Sequence, residues 1–582
     1  MSEEKFRKVL LVGAETGQFL HAVAAALSTA REERDELACV IATLHNEGLV
    51  DVVAAFGDLK NKAPGGPNFF LTRHVFEQAL PHINAPVGSV MRCVLHLCRE
   101  AGQDMAAGTI MSGYIEFCAN DVSRPREALK LIEADFNELG DMLVATIAAG
   151  SQLDNSYYLA ELLRLMRHPD IEVRRRAVFA VARVRWPEGA KVPDDAIIAL
   201  EKIISEETDD QILASALKSA FALFEQDKTL EVRIVSQIGA ALEKGNDYSL
   251  HAASELLMSN TINLPATLLN LLLANLKRVN PENIGTLNNV DYGIAHLLSS
   301  DAPEKGFQLL QELLVAHDGK LRIEVFDSAV AKICNSSVLM SRATTRWFLS
   351  GERALCTALH EIANTHFGDE YQICVDTSEL ISTDHDQVIF LARKAIGYFF
   401  IKEVTAASVV ISLMRHASTD QTLHELGGLL FNPLLLNYPG SLRDYVKIQA
   451  AQESGLVKTT IENAWSSVER YLEVLRAVPN LPALHAGQSQ RESYRRHMSE
   501  SMAESMKSAE KKSILRTLCS RSTLLYGNKS INYIYAGDGE PHRMEIPLTS
   551  HSYSFDFPRM DNIDPCGLDY MLRVFRAERF CK

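Results

Sequence analysis

The chain is short of paired cysteines and of uncharged apolar runs, and each shortage removes a class of protein. Ten cysteines are spread through 582 residues with no CxxC pair, so neither a zinc ribbon nor a redox dithiol is written here. The opening Met-Ser-Glu-Glu-Lys lacks the basic start and apolar run of a secretory signal, and reduced thiols in a cytoplasm are the expectation. The longest apolar candidate, Val388 to Met414, is broken by Arg393, Lys394, Lys402 and Glu403. A membrane span needs about 20 residues largely free of charge, so a buried or amphipathic helix pair is expected instead. Excess positive charge is missing too. The formal charge of −15 argues against a general nucleic-acid coater and for solubility.

The motifs of common chemistry are likewise incomplete. Val9 to Gly17 has the flavour of a strand leading into a phosphate loop, but Gly13 and Gly17 are followed by Gln18, without the lysine or the glycine spacing that cradles phosphate. A helix start or terminal cap is the better reading. His360-Glu361 with His366 places the histidines six apart, where a zinc helix needs four. Cys93 and His96 share one face of an amphipathic helix from which Cys98 turns away, so no tetrahedral site forms locally. Asp384-His385-Asp386 reads as an acid-capped helix start. The densest set of chemically able groups lies in the tail: His542, His551, Asp556, Asp561, Asp564 and Cys566. A nucleophile, base and oxyanion donor in mutual reach do not follow from it. No enzyme, cofactor or metal is expected.

What the chain does have is repetition. Arg167-His168-Pro169-Asp170 forms a turn between two amphipathic helices, one striped by Leu159, Leu162, Leu163 and Met166, the other by Val173, Ala177, Val178 and Val181. So short a pair cannot bury both faces alone and needs a similar neighbour. Ile197 to Ile204 overlays Leu159 to Met166, and Asp210 to Leu217 overlays Asp170 to Val178, at a spacing near 40 residues. After Asp227 the alternation continues without strict spacing. Because a stacked array grows in one dimension, its length escapes the limit on a single core.

Pro169-Asp170, Val173, Arg174 and Ala177 resemble the HEAT family of α-solenoids, at its inter-helix Pro-Asp and its Val-Arg…Ala second helix. The resemblance covers one repeat well and a second weakly. It implies that Asp170 and Arg174 are structural, bonding between neighbouring turns, and that the array binds proteins. Residues 1–150 then begin the solenoid and 151–485 form its HEAT-like body.

The tail, 486–582, changes character. A basic helix carries Arg495 and Lys511 beside a stripe of Met498, Met502 and Met506, soft side chains suited to a partner; folding back onto the solenoid is the plainer alternative. Strand habits follow at Ser530 to Tyr535, His542 to Leu548 and Ser552 to Phe557, with Asp538-Gly539 as a hairpin signal. Asp564-Pro565 opens a last helix whose Leu568, Met571, Leu572 and Phe575 would cover one face of the sheet. The expected fold class is mainly α, a solenoid of HEAT-like hairpins with a small C-terminal α+β module. The expected function is a non-catalytic scaffold or adaptor in a cytoplasmic multi-protein complex. The Ala-, Leu- and Arg-rich composition is compatible with a bacterial source, where such proteins accompany effector or defence enzymes. Two rivals are an enzyme seated in the tail and a nucleic-acid-binding solenoid. The second requires Arg174, Arg175, Arg176, Arg183 and Arg185 to line one groove.

Overall fold

The computed structural model describes residues 3–580 apart from 30–33, 63–65, 103, 105, 187–190, 262, 318, 381–383, 479–486, 513–518, 526–528, 535–541 and 548–556. Helix follows helix from residue 3 to 477. The chain divides into two compact units, Met1–Leu339 with Arg353–Ala358, and Met340–Glu352 with Leu359–Lys582. The division falls inside the 151–485 stretch that the sequence reads as one array.

The first unit is built of two helical layers. Phe69–Ala79, Ile110–Ala119, Leu143–Ser151, Ile171–Ala180, Asp210–Gln226, Asp247–Asn260 and Ile284–Leu298 each pack on the next of the series. Asn155–Leu165, Asp194–Glu206, Glu231–Lys244 and Ala266–Leu276 do the same in the other layer. This is a solenoid of helical hairpins. Its core consists of the stripes: Leu159, Leu162 and Met166 on one helix and Val173, Ala177, Val178 and Val181 on its partner are all buried. Each large apolar side chain removed from water contributes about 1.5–3 kcal/mol. At Gly293 the backbone comes so near the preceding helix that an added Cβ would lie 2.5 Å from Leu257 Cγ.

Polar side chains cross from each hairpin to the next. Asn46 Nδ2 donates to His82 O at 2.9 Å, and Tyr114 and Thr146 pair their hydroxyls at 3.0 Å. Ser219 Oγ donates to Val178 O at 2.7 Å. Arg278 Nη1 donates to Leu242 O at 3.0 Å. The second unit repeats the habit. Ser408 Oγ and Ser412 Oγ accept from the N–H groups of Ile373 and Val375, and Arg415 Nε donates to Glu453 at 2.6 Å. These partners stand between 32 and 41 residues apart, about one repeat.

The inter-helix turns refine the register read from the sequence. Asp170 caps its own helix, accepting from Glu172 N at 2.7 Å and Val173 N at 3.4 Å. Its counterpart is Asp209, which accepts from Gln211 N and Ile212 N at 3.0 Å each. The neighbouring Asp210 turns forward instead. It accepts from Asn246 N and Tyr248 N at 2.8 Å and from Ser249 Oγ at 2.6 Å, capping the start of the next repeat's helix. Asp291 does the same two layers later, accepting from Ser328 N at 2.9 Å and Ala329 N at 2.8 Å. Arg174 donates to Glu207 Oε1 of the following turn at 3.0 Å and to His168 O and Pro169 O of its own.

In the second unit, strands β1 (Cys519–Leu525), β2 (Lys529–Ile534) and β3 (His542–Pro547) form an antiparallel sheet in the order β1-β2-β3. The strand expected at 552–557 lies almost wholly outside the described residues, as does Asp538-Gly539. Asp564 caps the last helix, Pro565–Ala577, accepting from Gly567 N at 3.0 Å. That helix does not cover the sheet as the sequence suggested; it packs on His385–Phe399. Leu568 and Leu572 are buried there, and buried Lys394 donates to Arg576 O at 2.6 Å. Arg576 Nε returns a bond to Gly397 O at 2.6 Å. A cation set against the last carbonyls of a helix also meets the negative end of its dipole.

Asp291 offers a test of the cross-hairpin caps. Burial holds its carboxyl above the ordinary value, against the opposite pull of the Ala329 and Ser328 N–H donors. The folded state therefore keeps the proton to higher pH than the unfolded chain does. Its contribution to stability falls as pH rises from about 4 through that raised value. Asp291→Ala is expected to lower the unfolding free energy by about 1–3 kcal/mol in urea titrations, because a buried and a part-buried N–H donor lose their acceptor. Asp291→Asn should lose less and also lack this fall with pH. Unchanged midpoints for Asp291→Ala would show that the cap does not stabilise the stack.

Candidate protein-binding face

The forward-packing helices of the first unit leave one stripe each on a common face. Between them lies an open cavity of about 500 Å³ lined by Asp141 and Val144, then Arg175, Arg176 and Phe179, then Gln211, Ala214, Ser215 and Lys218, then Tyr248 and His251. Four helices contribute to it, so no single hairpin contains the site. Adding 39 to 172, 175, 176 and 179 gives Gln211, Ala214, Ser215 and Lys218; adding 37 to 211, 214 and 218 gives Tyr248, His251 and Glu255. Lys218, Tyr248 and His251 escaped the sequence reading, and that arithmetic is the signal that would have found them.

The cations of this face are matched by carboxylates. Arg176 Nη2 reaches Asp141 Oδ1 at 2.7 Å, its guanidinium 5.1 Å from the centre of the Phe136 ring. Arg175 pairs with Glu172, and Lys218 with Glu255. His251 places Nδ1 3.0 Å from Thr286 Oγ1 and Nε2 3.4 Å from Glu255. Tyr248 is 56% exposed, leaving a large ring free to meet a ligand beside guanidinium groups. The arginine cluster required by a nucleic-acid groove is thus divided. Arg175 and Arg176 line the cavity; Arg174 is turned into the inter-helix loops, Arg183 lies 5.6 Å from the centre of the Phe179 ring, and Arg185 is exposed. Period 3.6 sends adjacent residues of one helix to different faces.

The other sequence candidates are dispersed. Val9 to Gly17 belongs to helix Glu3–Glu15 and its end, and an added Cβ at Gly13 would lie 2.5 Å from Ala22 Cβ, so this glycine serves close helix packing. Cys93 is buried and its thiol pushed up to about 12 by desolvation, while His96 Nε2 lies 2.9 Å from Leu59 O and Cys98 Sγ 3.4 Å from Ala107 O. His360 Nδ1 stands 2.6 Å from Tyr398 O, and His366 is exposed. Asp384 caps a helix, accepting from Gln387 N at 3.1 Å. Of the tail set, His551 and Asp556 lie outside the described residues; Asp564 is a cap, His542 and Cys566 are exposed, and burial raises the Asp561 carboxyl. Among the described residues no cluster of three or more His, Cys, Asp or Glu is arranged to hold a metal ion. None of their helices is long and apolar enough to cross a membrane.

Helix Gln488–Lys512 carries the methionine stripe. Met498, Met502 and Met506 are 43%, 69% and 64% exposed, and Arg495 is exposed as well. The Lys511 side chain lies outside the described ones.

No protein-family model matches the chain, and no curated protein matches its sequence. Eighteen solved chains match in structure. One comes from the complex in which Kap95p binding induces the switch loops of RanGDP to adopt the GTP-bound conformation. It is 12% identical with a TM-score of 0.25, covering 80% of this chain and 75% of that chain. Another is an engineered protein, 15% identical with a TM-score of 0.17, covering 81% of this chain and 99% of that one. At such values neither carries a residue role, a ligand or an activity across to this protein.

Proposed function

We propose that the chain is a non-catalytic protein-binding scaffold of the HEAT kind, an adaptor subunit in a cytoplasmic multi-protein complex, serving a bacterial effector or defence system. The observation that carries this reading is the face assembled from four consecutive helices, with arginines and an exposed tyrosine around a cavity of about 500 Å³. Tyr and Arg are the residue types that dominate binding hot spots. Balanced ion pairs along the face suit a segment of mixed polar character, and an extended partner segment laid across the stripes would touch each in turn. A second contact is assigned to Arg495, Met498, Met502, Met506 and Lys511, since adaptable methionines accept varied apolar surfaces. The pairing of Arg175, Arg176 and Lys218 with Glu172, Asp141 and Glu255 offsets the positive charge that a phosphate backbone would need.

Affinity purification from the native host followed by mass spectrometry tests the scaffold. Wild type should bring down one or more proteins at stoichiometric yield. Tyr248→Ala with Lys218→Glu should reduce that yield by about tenfold or more, the loss typical of a hot spot, with unchanged circular dichroism. Wild type recovered alone under gentle conditions contradicts the proposal. In filter binding no salt-sensitive DNA retention is expected; retention that falls steeply with salt would assign the face to nucleic acid instead.

A further inference from the structure

A second cavity, in the second unit, has dimensions and register that fit the methionine helix of the same chain. Helices Asp420–Leu429 and Gly455–Ala477 pack side by side and enclose an open groove of about 440 Å³. Its walls are Leu423, Gly428 and Phe431 on one side and Thr459, Asn463 and Ser467 on the other. The volume lies within the range of sites that hold apolar ligands, about 300–1,000 Å³. Leu456, also in its lining, is 58% exposed. The groove is therefore a partly apolar trough floored by small side chains, open to solvent.

Helix lengths set what can lie in it. Counted from the helix ends Ala477 and Gln488, Ser467, Asn463 and Thr459 stand 10, 14 and 18 residues in; Met498, Met502 and Met506 stand 10, 14 and 18 residues in on the following helix. Every residue of an α-helix rises about 1.5 Å. An antiparallel return of the second helix with Gln488 level with Ala477 would bring each methionine level with one of the three small polar residues. Both triplets recur every four residues, so each forms one stripe. The ten connecting residues, 478–487, span up to about 33 Å when extended, ample for helices packed about 8–10 Å apart.

The opposite wall has a matching register. An added Cβ at Gly427 would lie 2.7 Å from Thr460 Cγ2, which fixes the two wall helices at that level. One turn further on, Phe431 comes level with Ala464, beside the height of Met502. Sulfur against an aromatic ring is a favourable contact. Gly428 has open space around its Cα, leaving room for Met506.

We propose that helix Gln488–Lys512 closes over this groove in cis, seating Met498, Met502 and Met506 against Ser467, Asn463 and Thr459. The exposed stripe and the open groove are the two halves of one latch, and a partner that takes the methionines releases the groove. The proposal rests on reading the stripe as a contact element, and not on the face of the first unit.

Photo-cross-linking in the purified full-length protein tests it. With p-benzoylphenylalanine in place of Met502, mapped cross-links are expected to peptides containing Phe431 or Asn463 of the same chain. The reciprocal probe at Asn463 should return the Met498–Met506 peptide, so failure of one variant to fold leaves the other to decide. A probe at Glu504, on the far side of the helix, should not reach the groove. Filling the groove with Gly428→Trp should cut the Met502 yield about tenfold, equivalent to about 1.4 kcal/mol. Absence of cross-links to the groove, an undiminished yield in Gly428→Trp, or cross-links only between isotopically distinct chains would overturn the proposal. Partner capture by the Tyr248 face is read separately, so the latch and the scaffold fail independently.

Discussion

A helical hairpin of this chain has apolar residues on both sides of its seam, and the only dry surface available to them is the next hairpin. Val173, Ala177 and Val178 bury against neighbours before and after, and the same holds at every layer of the first unit. The polar groups obey the same constraint. Asp210 and Asp291 use their carboxylates to cap a helix that begins one repeat later. Each hairpin thus depends on the one beside it for burial and for the satisfaction of its helix ends.

This dependence explains why the candidate face has no local sequence signature. Arg175 and Phe179, Lys218, and Tyr248 with His251 come from three successive repeats and meet only because the repeats are stacked in register. Arg175, Arg176 and Lys218 are paired with carboxylates of the same face. A stacked array of this kind gains its surface from periodicity.

The period and the stripes were legible in the sequence because they rest on local spacing: Leu159, Leu162 and Met166, then Val173, Ala177 and Val178. Asp564-Pro565 was legible as a helix start for the same reason, a cap and a fixed φ acting within four residues. The placement of that helix was not. Its partners, Lys394 and Gly397, are 182 and 179 residues away from the Arg576 atoms they bond, and no pattern within Leu568 to Phe575 distinguishes a sheet from a helix as the surface covered. β1 was missed because Cys519 to Leu525 follows a basic helical stretch and alternates weakly. The one-residue slip between Asp209 and Asp210 has a related cause. Both are acids at a helix start, and only the neighbour's position decides which one caps its own helix.

The central claim is that stability and order are handed from one hairpin to the next. Hydrogen exchange on an Asp210→Ala variant measures this most directly. The account predicts that amide protection falls most in helix Asp247–Asn260, less in the adjoining helices, and not at all several repeats away. A uniform loss of protection across the whole chain, as in a single cooperative globule, or no loss in Asp247–Asn260, would contradict it.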